Sequence, residues 1–530
     1  MILSSLVLSL AVGLAIAYVI GRALSSLKNA DRPPLPPGPK GLPLVGNLND
    51  LPKPGVFEAH HWLKHKELYG PISSVTVMGQ SIIIINDARL ALELLEKRSV
   101  KFSSRPRQVF GGEMVGWENS LGLSPYNDRF RAHRKNMNRI IGSKTTAAQF
   151  NTLQEAAVGH FLVRVLDSPE NLIDHIRKEV GTIILKIAYG YNTKVQGNDL
   201  LVDIAGDAMD KFATATVPGA FIVDMMPFLR YLPDWAPGTG FKQLASQWAA
   251  ELTDVAEKPY AFVKHQMAEG KNETSFLSRL LEAGDSDPEE KFTNKWSAMS
   301  LYTAGADTTV SALACFFLAM TVYPEAQKKA QEEIDRVIGQ NRLPTMADRV
   351  NLPYVEATVK EVLRWHPVAP MGLPHTNTED DVCEGYFIPK DSIVCPNVWH
   401  FTHDPNVYDD PMTFKPERFL ATDEHDPAPD PSMFVFGFGR RICPGRILAD
   451  NTIYLTIVQS LAVFNISKSL ENGKEVEPAI KFEPGVVSHP VPYSNMIKPK
   501  SAHHEELISS IVNTYPWQES DSEVLETISY

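Results

Sequence analysis

Cysteine is scarce in this chain. There are four in 530 residues: Cys315, Cys383, Cys395 and Cys443. So few in so long a chain make no disulfide framework, and their spacing matches no zinc pattern. The bulk of the chain therefore reads as facing a reducing compartment. Positive charge is also in short supply. A net charge of -12 excludes nucleic acid as a general partner. Internal repeats, low-complexity tracts, a dinucleotide fingerprint and a phosphate-binding loop are all missing. What is abundant is apolar material, 44% of residues, ample for a large packed core.

Charged side chains are absent from residues 1–21, which are dominated by Leu, Ile, Val and Ala. About 20 such residues span a bilayer as a helix. The basic residues Arg22, Lys28 and Arg32 follow the apolar run rather than precede it. A cleaved signal peptide would have the reverse order, and the positive-inside rule keeps the following domain cytosolic. We therefore expect an uncleaved single-pass anchor over 1–21 and a basic, proline-rich hinge over 22–40. Pro33 to Pro39 is stiff, extended and unable to form helix.

Two β-type runs, 72–77 and 81–85, read as a hairpin. From about 125 to 350 the periodicity is mostly helical, punctuated by Pro and Gly. Further β regions are expected at about 382–396 and 479–497. Residues 41–499 read as one domain. Residues 500–530 read as an acidic, disordered tail outside the core.

The most specific stretch is Phe436-Gly437-Phe438-Gly439-Arg440-Arg441-Ile442-Cys443-Pro444-Gly445, just before an apolar, helix-like run. Gly439 and Gly445 let backbone approach something bulky and flat. Cys443 beside a helix N-terminus is placed to be a thiolate, a good iron ligand. Arg441 suits an anionic group. This segment resembles the haem-ligand loop of the cytochrome P-450 superfamily at every fixed position. The resemblance implies a mainly α fold with small β sheets, here preceded by one transmembrane helix. It also implies haem b held by Cys443 as axial ligand, with Phe436, Arg441 and Gly445 as further cofactor-binding residues.

Three more motifs fall in the family's order. Ala304-Gly305-Ala306-Asp307-Thr308-Thr309 lies in an apolar run, Trp296 to Tyr323, that reads as a buried helix. Gly305 would leave room for O₂. Thr308 can bond the Ala304 carbonyl one turn back and open the helix. By the resemblance, Asp307 and Thr308 are the catalytic proton relay. Glu361 and Arg364, at i and i+3, with Arg418 further on, match the family's structural charge triad. Arg134 and His375 match its haem-propionate contacts. Phe130 stands where Trp is usual and removes an indole donor. The implied pocket is lined by Val109, Phe110, Met114, Trp117, Met299, Leu301, Tyr302, Ala306, Val368, Ala369, Met371, Val486 and Val487. Its apolar character points to a lipophilic substrate.

The resemblance thus implies a monooxygenase that inserts one oxygen atom of O₂ into a lipophilic small molecule, most like fungal microsomal members of secondary metabolism. Terpenoids, polyketides and aromatics are the expected substrates, in secondary metabolism or xenobiotic oxidation. Electrons would come from a membrane-bound NADPH-cytochrome reductase, with the catalytic domain on the cytosolic face of the endoplasmic reticulum. Arg129, Arg131, Lys135 and Arg139, with Arg440 and Arg446, would dock its acidic surface. Two other readings stay open: a reductase-independent haem-thiolate isomerase or dehydratase, and a non-enzymatic haem carrier or sensor.

Overall fold

The computed structural model describes residues 32–53, 55–217, 219–284, 287–423 and 426–528. The expected anchor over 1–21, and the hinge up to residue 31, lie outside them. Among the described residues ten helices have twelve residues or more. In chain order they are α1 (Glu58–Tyr69), α2 (Asp128–Ile141), α3 (Asn151–Asp167), α4 (Leu172–Tyr189), α5 (Leu200–Ala215), α6 (Gly240–Ala268), α7 (Pro288–Val322), α8 (Pro324–Val337), α9 (Pro353–Trp365) and α10 (Arg446–Val463). The sheets are small. The largest has four strands: β1 (Ile72–Val77), β2 (Gln80–Ile85), then a strand at Ile393–Pro396 and a short one at His375–Thr376.

The expected hairpin is present, with Ile72 opposite Ile85 and Val77 opposite Gln80. Met78 and Gly79 form its two-residue loop, both at positive φ (49° and 88°), the geometry that suits the twist of paired strands. The region 479–497 is mostly irregular, not a β region. It contributes one strand, Asn495–Pro499, paired with Phe464–Lys468, and a single bridge between Phe482 and Pro490. The proline run is not a free spacer either. Ser74 donates to the Pro37 and Pro36 carbonyls at 2.9 and 2.6 Å, and Phe387 N–H to the Pro34 carbonyl at 2.8 Å. These bonds lay the run along the sheet.

The tail corrects the sequence expectation most clearly. Residues 502–509, 511–514 and 522–527 are helical, and Ile508, Ile511 and Leu525 are buried in the core. Gly159 of α3 makes this possible, because a Cβ there would sit 2.8 Å from Ile511 Cγ2. Three apolar anchors spaced along a polar segment suffice to dock it, and mean composition hides them.

Helix α7 positions the site. It is apolar on every side and buried along most of its length, with α4 packed beside it. From Trp296 to Thr321 burial lapses only over Ala304 to Thr308, between buried Thr303 and Thr309. That one-turn window opens onto a cavity.

Candidate active site

The cavity is about 340 Å³ and is bordered by Cys443 and Gly445 from the ligand loop and by Ala304, Gly305 and Thr308 from α7. Apolar walls come from Ile183, Ile184 and Ile187 of α4 and from Leu301, Val368 and Ala369.

The ligand loop is fixed by local geometry. Cys443 N–H donates to the Phe436 carbonyl at 2.7 Å, folding the loop back on itself. Helix α10 starts at Arg446 with Gly445 as its cap, and no side chain caps it. Its free N–H groups, from Gly445 and Arg446, point at the Cys443 sulfur instead. These bonds and the Arg134 and Arg446 charges favour the thiolate, yet burial outweighs them and pushes the thiol up. The helix end alone therefore does not create a thiolate here. A bound metal ion, which deprotonates a coordinating thiol, would supply the rest.

The two loop glycines have different reasons. No atom lies within 4 Å of a Cβ placed on Gly445, so this backbone borders open cavity. Gly439 instead has φ 51°, and a Cβ there would meet the Leu95 carbonyl at 2.4 Å. It serves packing between protein segments.

Three arginines converge on the cavity. Arg441 is buried and donates to the carbonyls of Ser103, Leu121 and Ser124 at 2.6, 3.2 and 2.6 Å. Arg134 donates to the Ile442 carbonyl at 2.6 Å. Arg105, which the sequence reading missed, donates to the Gly122, Leu373 and Pro374 carbonyls at 2.8–2.9 Å. His375 is buried beside them, with Nδ1 2.7 Å from the Phe102 carbonyl oxygen. Burial pushes all four groups down: Arg105 to about 9, Arg441 to about 8, Arg134 less, His375 well below its usual value. Arg105 and Arg441 depress His375 further. No acidic side chain lines the cavity, and none of the three arginines forms an ion pair with a described residue. Such a cluster fits a group bearing two carboxylates. With an open face beside a cysteine sulfur, it fits haem.

Phe130 finds a role in place of the indole donor. Its ring lies under the Arg441 guanidinium, 3.8 Å from centroid to carbon. Asn127 caps α2 by accepting from Phe130 N–H at 2.9 Å, which sets the face carrying Phe130 and Arg134.

On α7, Thr308 Oγ1 donates to the Ala304 carbonyl at 2.8 Å. The bond forms, but the helix runs through it unbroken. Gly305 borders the cavity, yet a Cβ on it would meet Ile184 at 2.8 Å. Its small size serves the approach of α4 to α7 as well as the ligand space. Asp307 does not border the cavity. Its Oδ1 is 3.0 Å from His489 Nε2, a partner the sequence reading did not find. Of the expected pocket wall, Leu301, Val368 and Ala369 line the cavity. Phe110 is buried against Phe221 and Trp248, Trp117 against Phe212, and Tyr302 hydrogen-bonds the Leu201 carbonyl. These are core contacts. Helix α4 provides the wall in their place.

Away from the cavity, Glu361, Arg364 and Arg418 meet in the core. Arg364 grips Glu361 with two bonds of 2.7 and 2.8 Å, and Arg418 Nε is 3.2 Å from the same carboxylate.

Comparison with known proteins agrees with this geometry. The profile of the family described as Cytochrome P450 matches residues 36–496. The chain is 50% identical over 501 residues to cytochrome P450 monooxygenase claR of Ampulloclitocybe clavipes, covering 94% of this chain and 91% of that one. It is 46% identical to cytochrome P450 monooxygenase ppsD of Aspergillus oryzae, covering 93% and 94%. It is 42% identical to O-methylsterigmatocystin oxidoreductase of Aspergillus flavus, covering 93% and 92%. The cysteine-bordered cavity with its unmatched cations is thus set in a chain whose whole catalytic length is shared with haem-thiolate oxidoreductases: the protein belongs to the cytochrome P450 family, and is a monooxygenase that works with haem iron, O₂, a substrate and a redox partner.

Proposed function

We propose that Cys443 is the axial ligand of haem b and that Arg105, Arg134, Arg441 and His375 hold its propionates. The substrate is a lipophilic small molecule of secondary metabolism, of terpenoid, polyketide or aromatic type. One observation carries this reading. Cys443 Sγ, the cations that lack an anion, and the open turn of α7 all face one cavity whose remaining walls are apolar. Bound there, the haem iron supplies reductive activation of O₂ and delivery of one oxygen atom.

The chain's own residues then have distinct tasks. Gly445, Arg446 and Arg134 direct N–H groups or positive charge at the Cys443 sulfur and hold it as a ligand. Ile183, Ile184, Ile187, Leu301 and Val368 exclude water and favour an apolar substrate. Thr308 places a hydroxyl at the cavity edge. Asp307, one residue earlier and bonded to His489 outside the cavity, takes protons from the solvent side and passes them to Thr308.

Electrons come from a membrane-bound NADPH-dependent reductase. Arg129 and Arg131 are less available to it than their number suggests, since they pair with Glu289 and Asp128 at 2.9 and 2.5 Å. Lys135, Arg139, Arg440 and Arg446 form no ion pair with a described residue and make the docking face. Membrane attachment at the endoplasmic reticulum rests on residues 1–21. It also rests on exposed Ile222, Phe228, Tyr231 and Trp235, a patch of apolar side chains that suits lipid.

Cys443→Ser tests the ligand. It should abolish the thiolate-type spectrum of the reduced, carbon monoxide-treated protein, together with turnover; retention of that spectrum would remove Cys443 from the role. Thr308→Ala should keep haem and substrate binding but divert NADPH consumption toward hydrogen peroxide. Unchanged coupling would refute the relay.

A further inference from the structure

A second cavity, about 350 Å³, lies between α3, α4, the 191–195 loop and tail residues 514–518. Its volume falls at the lower end of ligand pockets, about 300–1,000 Å³. The family profile ends at residue 496, so the tail wall lies beyond it.

Arg164 of α3 lines this cavity. Its Nε is closed off from solvent without a hydrogen-bond partner, and the guanidinium forms no ion pair with a described residue. Burial pushes its pKa down to about 10. The acid that influences it is Glu179 of α4, but burial pushes that carboxyl up to about 8, and it accepts instead from Thr456 at 2.6 Å. Glu179 lies beyond ion-pair distance of Arg164, and its second carboxyl oxygen has no hydrogen-bond partner. Lys186 and Lys194 also line the space, Lys186 paired with Glu273 at 2.5 Å, and no acidic side chain lines it. His160, His175 and Lys178 are each pushed down by burial first and by the Arg164 charge as well. Apart from the Trp517 ring, 6.0 Å from the guanidinium carbon, Arg164 has no counter-charge, and a shielded guanidinium without one is costly unless an anion reaches it.

The tail wall is built, not incidental. Asn192 and Asp521 exchange two bonds, N–H to Oδ2 at 2.7 Å and N–H to carbonyl at 3.0 Å. His160 Nε2 is 2.7 Å from the Tyr515 carbonyl oxygen, and its ring stacks on Trp517 at 3.8 Å. Lys186 is held by Asn192 and Gln518 at 2.6 and 3.1 Å. Leu153, Ala157 and Trp517 give the cavity an apolar side.

We propose that this cavity is a second ligand site, separate from the haem pocket, for a small organic anion whose carboxylate or phosphate pairs with Arg164 and whose apolar body lies against Leu153, Ala157 and Trp517. The planar fork of an arginine matches either anion, and such charge-assisted bonds are the strong ones.

Benzoate and phenyl phosphate serve as probes on the haem-loaded full chain, with benzyl alcohol as the neutral control. Binding is read by calorimetry and tryptophan fluorescence, and the haem absorption band reports the other pocket. Both anions should bind without moving the haem band, and benzyl alcohol should not bind in this way. Arg164→Gln should weaken the anions about tenfold or more, the loss of one charged hydrogen-bonded pair. Arg164 forms no ion pair with a described residue, so the variant strands no carboxylate and should stay folded, losing only the contact with the Trp517 ring. Trp517→Ala, on the tail, is the second variant and should weaken both anions by opening the wall. The ligand should also protect the 515–518 segment from limited proteolysis. Failure of either anion to bind the parent would overturn the proposal. So would equal affinity in the parent and both variants.

Discussion

Two sets of buried arginines in this protein are left in contrasting electrostatic states. Behind the site, Arg364 and Arg418 share the carboxylate of Glu361, and Arg364 also donates to the carbonyls of Thr402, Pro411 and Thr413. Glu361 and Arg364 are wholly buried, and every charge in the set has a partner. At the cavity, Arg105, Arg134 and Arg441 have carbonyl oxygens and no carboxylate. The first set is complete within the chain. The second is complete only when something anionic arrives from outside. Burial of charge is a structural feature in one place and a binding feature in the other, and the presence of a carboxylate decides which.

The largest expected effect tests the complete set. Glu361→Gln strands two buried guanidinium groups and should cost about 3–5 kcal/mol of stability with or without haem. Denaturant melts of both forms would show it; a loss confined to the haem-loaded protein would erase the contrast. Next comes the incomplete set. Arg134→Met removes a cation that holds one carbonyl, so the haem-free protein should change by about 1 kcal/mol or less. Haem affinity should fall about tenfold or more, because a charged pair is lost. Haem transfer to an apo-globin acceptor measures this, and equal transfer rates would show that Arg134 carries no propionate.

A smaller effect is expected at Phe130. Phe130→Leu keeps apolar volume but removes the ring face under Arg441, worth about 0.5–2 kcal/mol. Stability should drop by that amount, and Phe130→Trp should restore it. A Leu variant as stable as the parent would mean that the carbonyl bonds alone hold Arg441. A further effect is set by pH. His133 of α2 is buried, with Nδ1 2.8 Å from Ser297 Oγ, and burial followed by the Arg129 charge pushes it down to about 4. In the unfolded chain its value is 6.5. The unfolded state therefore takes up the proton first. His133's contribution is intact above about 6.5 and is lost as pH falls toward 4, by up to ~1.4 kcal/mol per pH unit. His133→Asn should flatten the stability profile between those values; an unchanged slope would assign the acid loss to other groups.

Much of the fold was legible because its signals are local. The hairpin follows from β-branched runs around Met78-Gly79, and α7 from an apolar run too long for a strand. The triad residues were found because Glu361 and Arg364, with Arg418 further on, match two short family motifs. What went unseen depends on distant partners. Arg105 is one arginine in a basic, proline-containing stretch, and only the fold carries it to Leu373 and Pro374. Asp307 meets His489 across 182 residues of chain. The tail was misjudged because its few anchors, Ile508, Ile511 and Leu525, are diluted by polar neighbours.

The sequence by itself determined the motif of the ligand loop and the helical frame. A short motif carries its own turn geometry, and periodicity records which faces are apolar. Tertiary structure decided the rest. It set the wall of the cavity, drawn from α4 rather than from the 109–117 region. It decided which glycines face a ligand and which face protein. It also left the cavity arginines without an acid while supplying one to Arg364 and Arg418. Burial and charge pairing are properties of neighbours in space, and one-dimensional order does not fix them until the chain has packed.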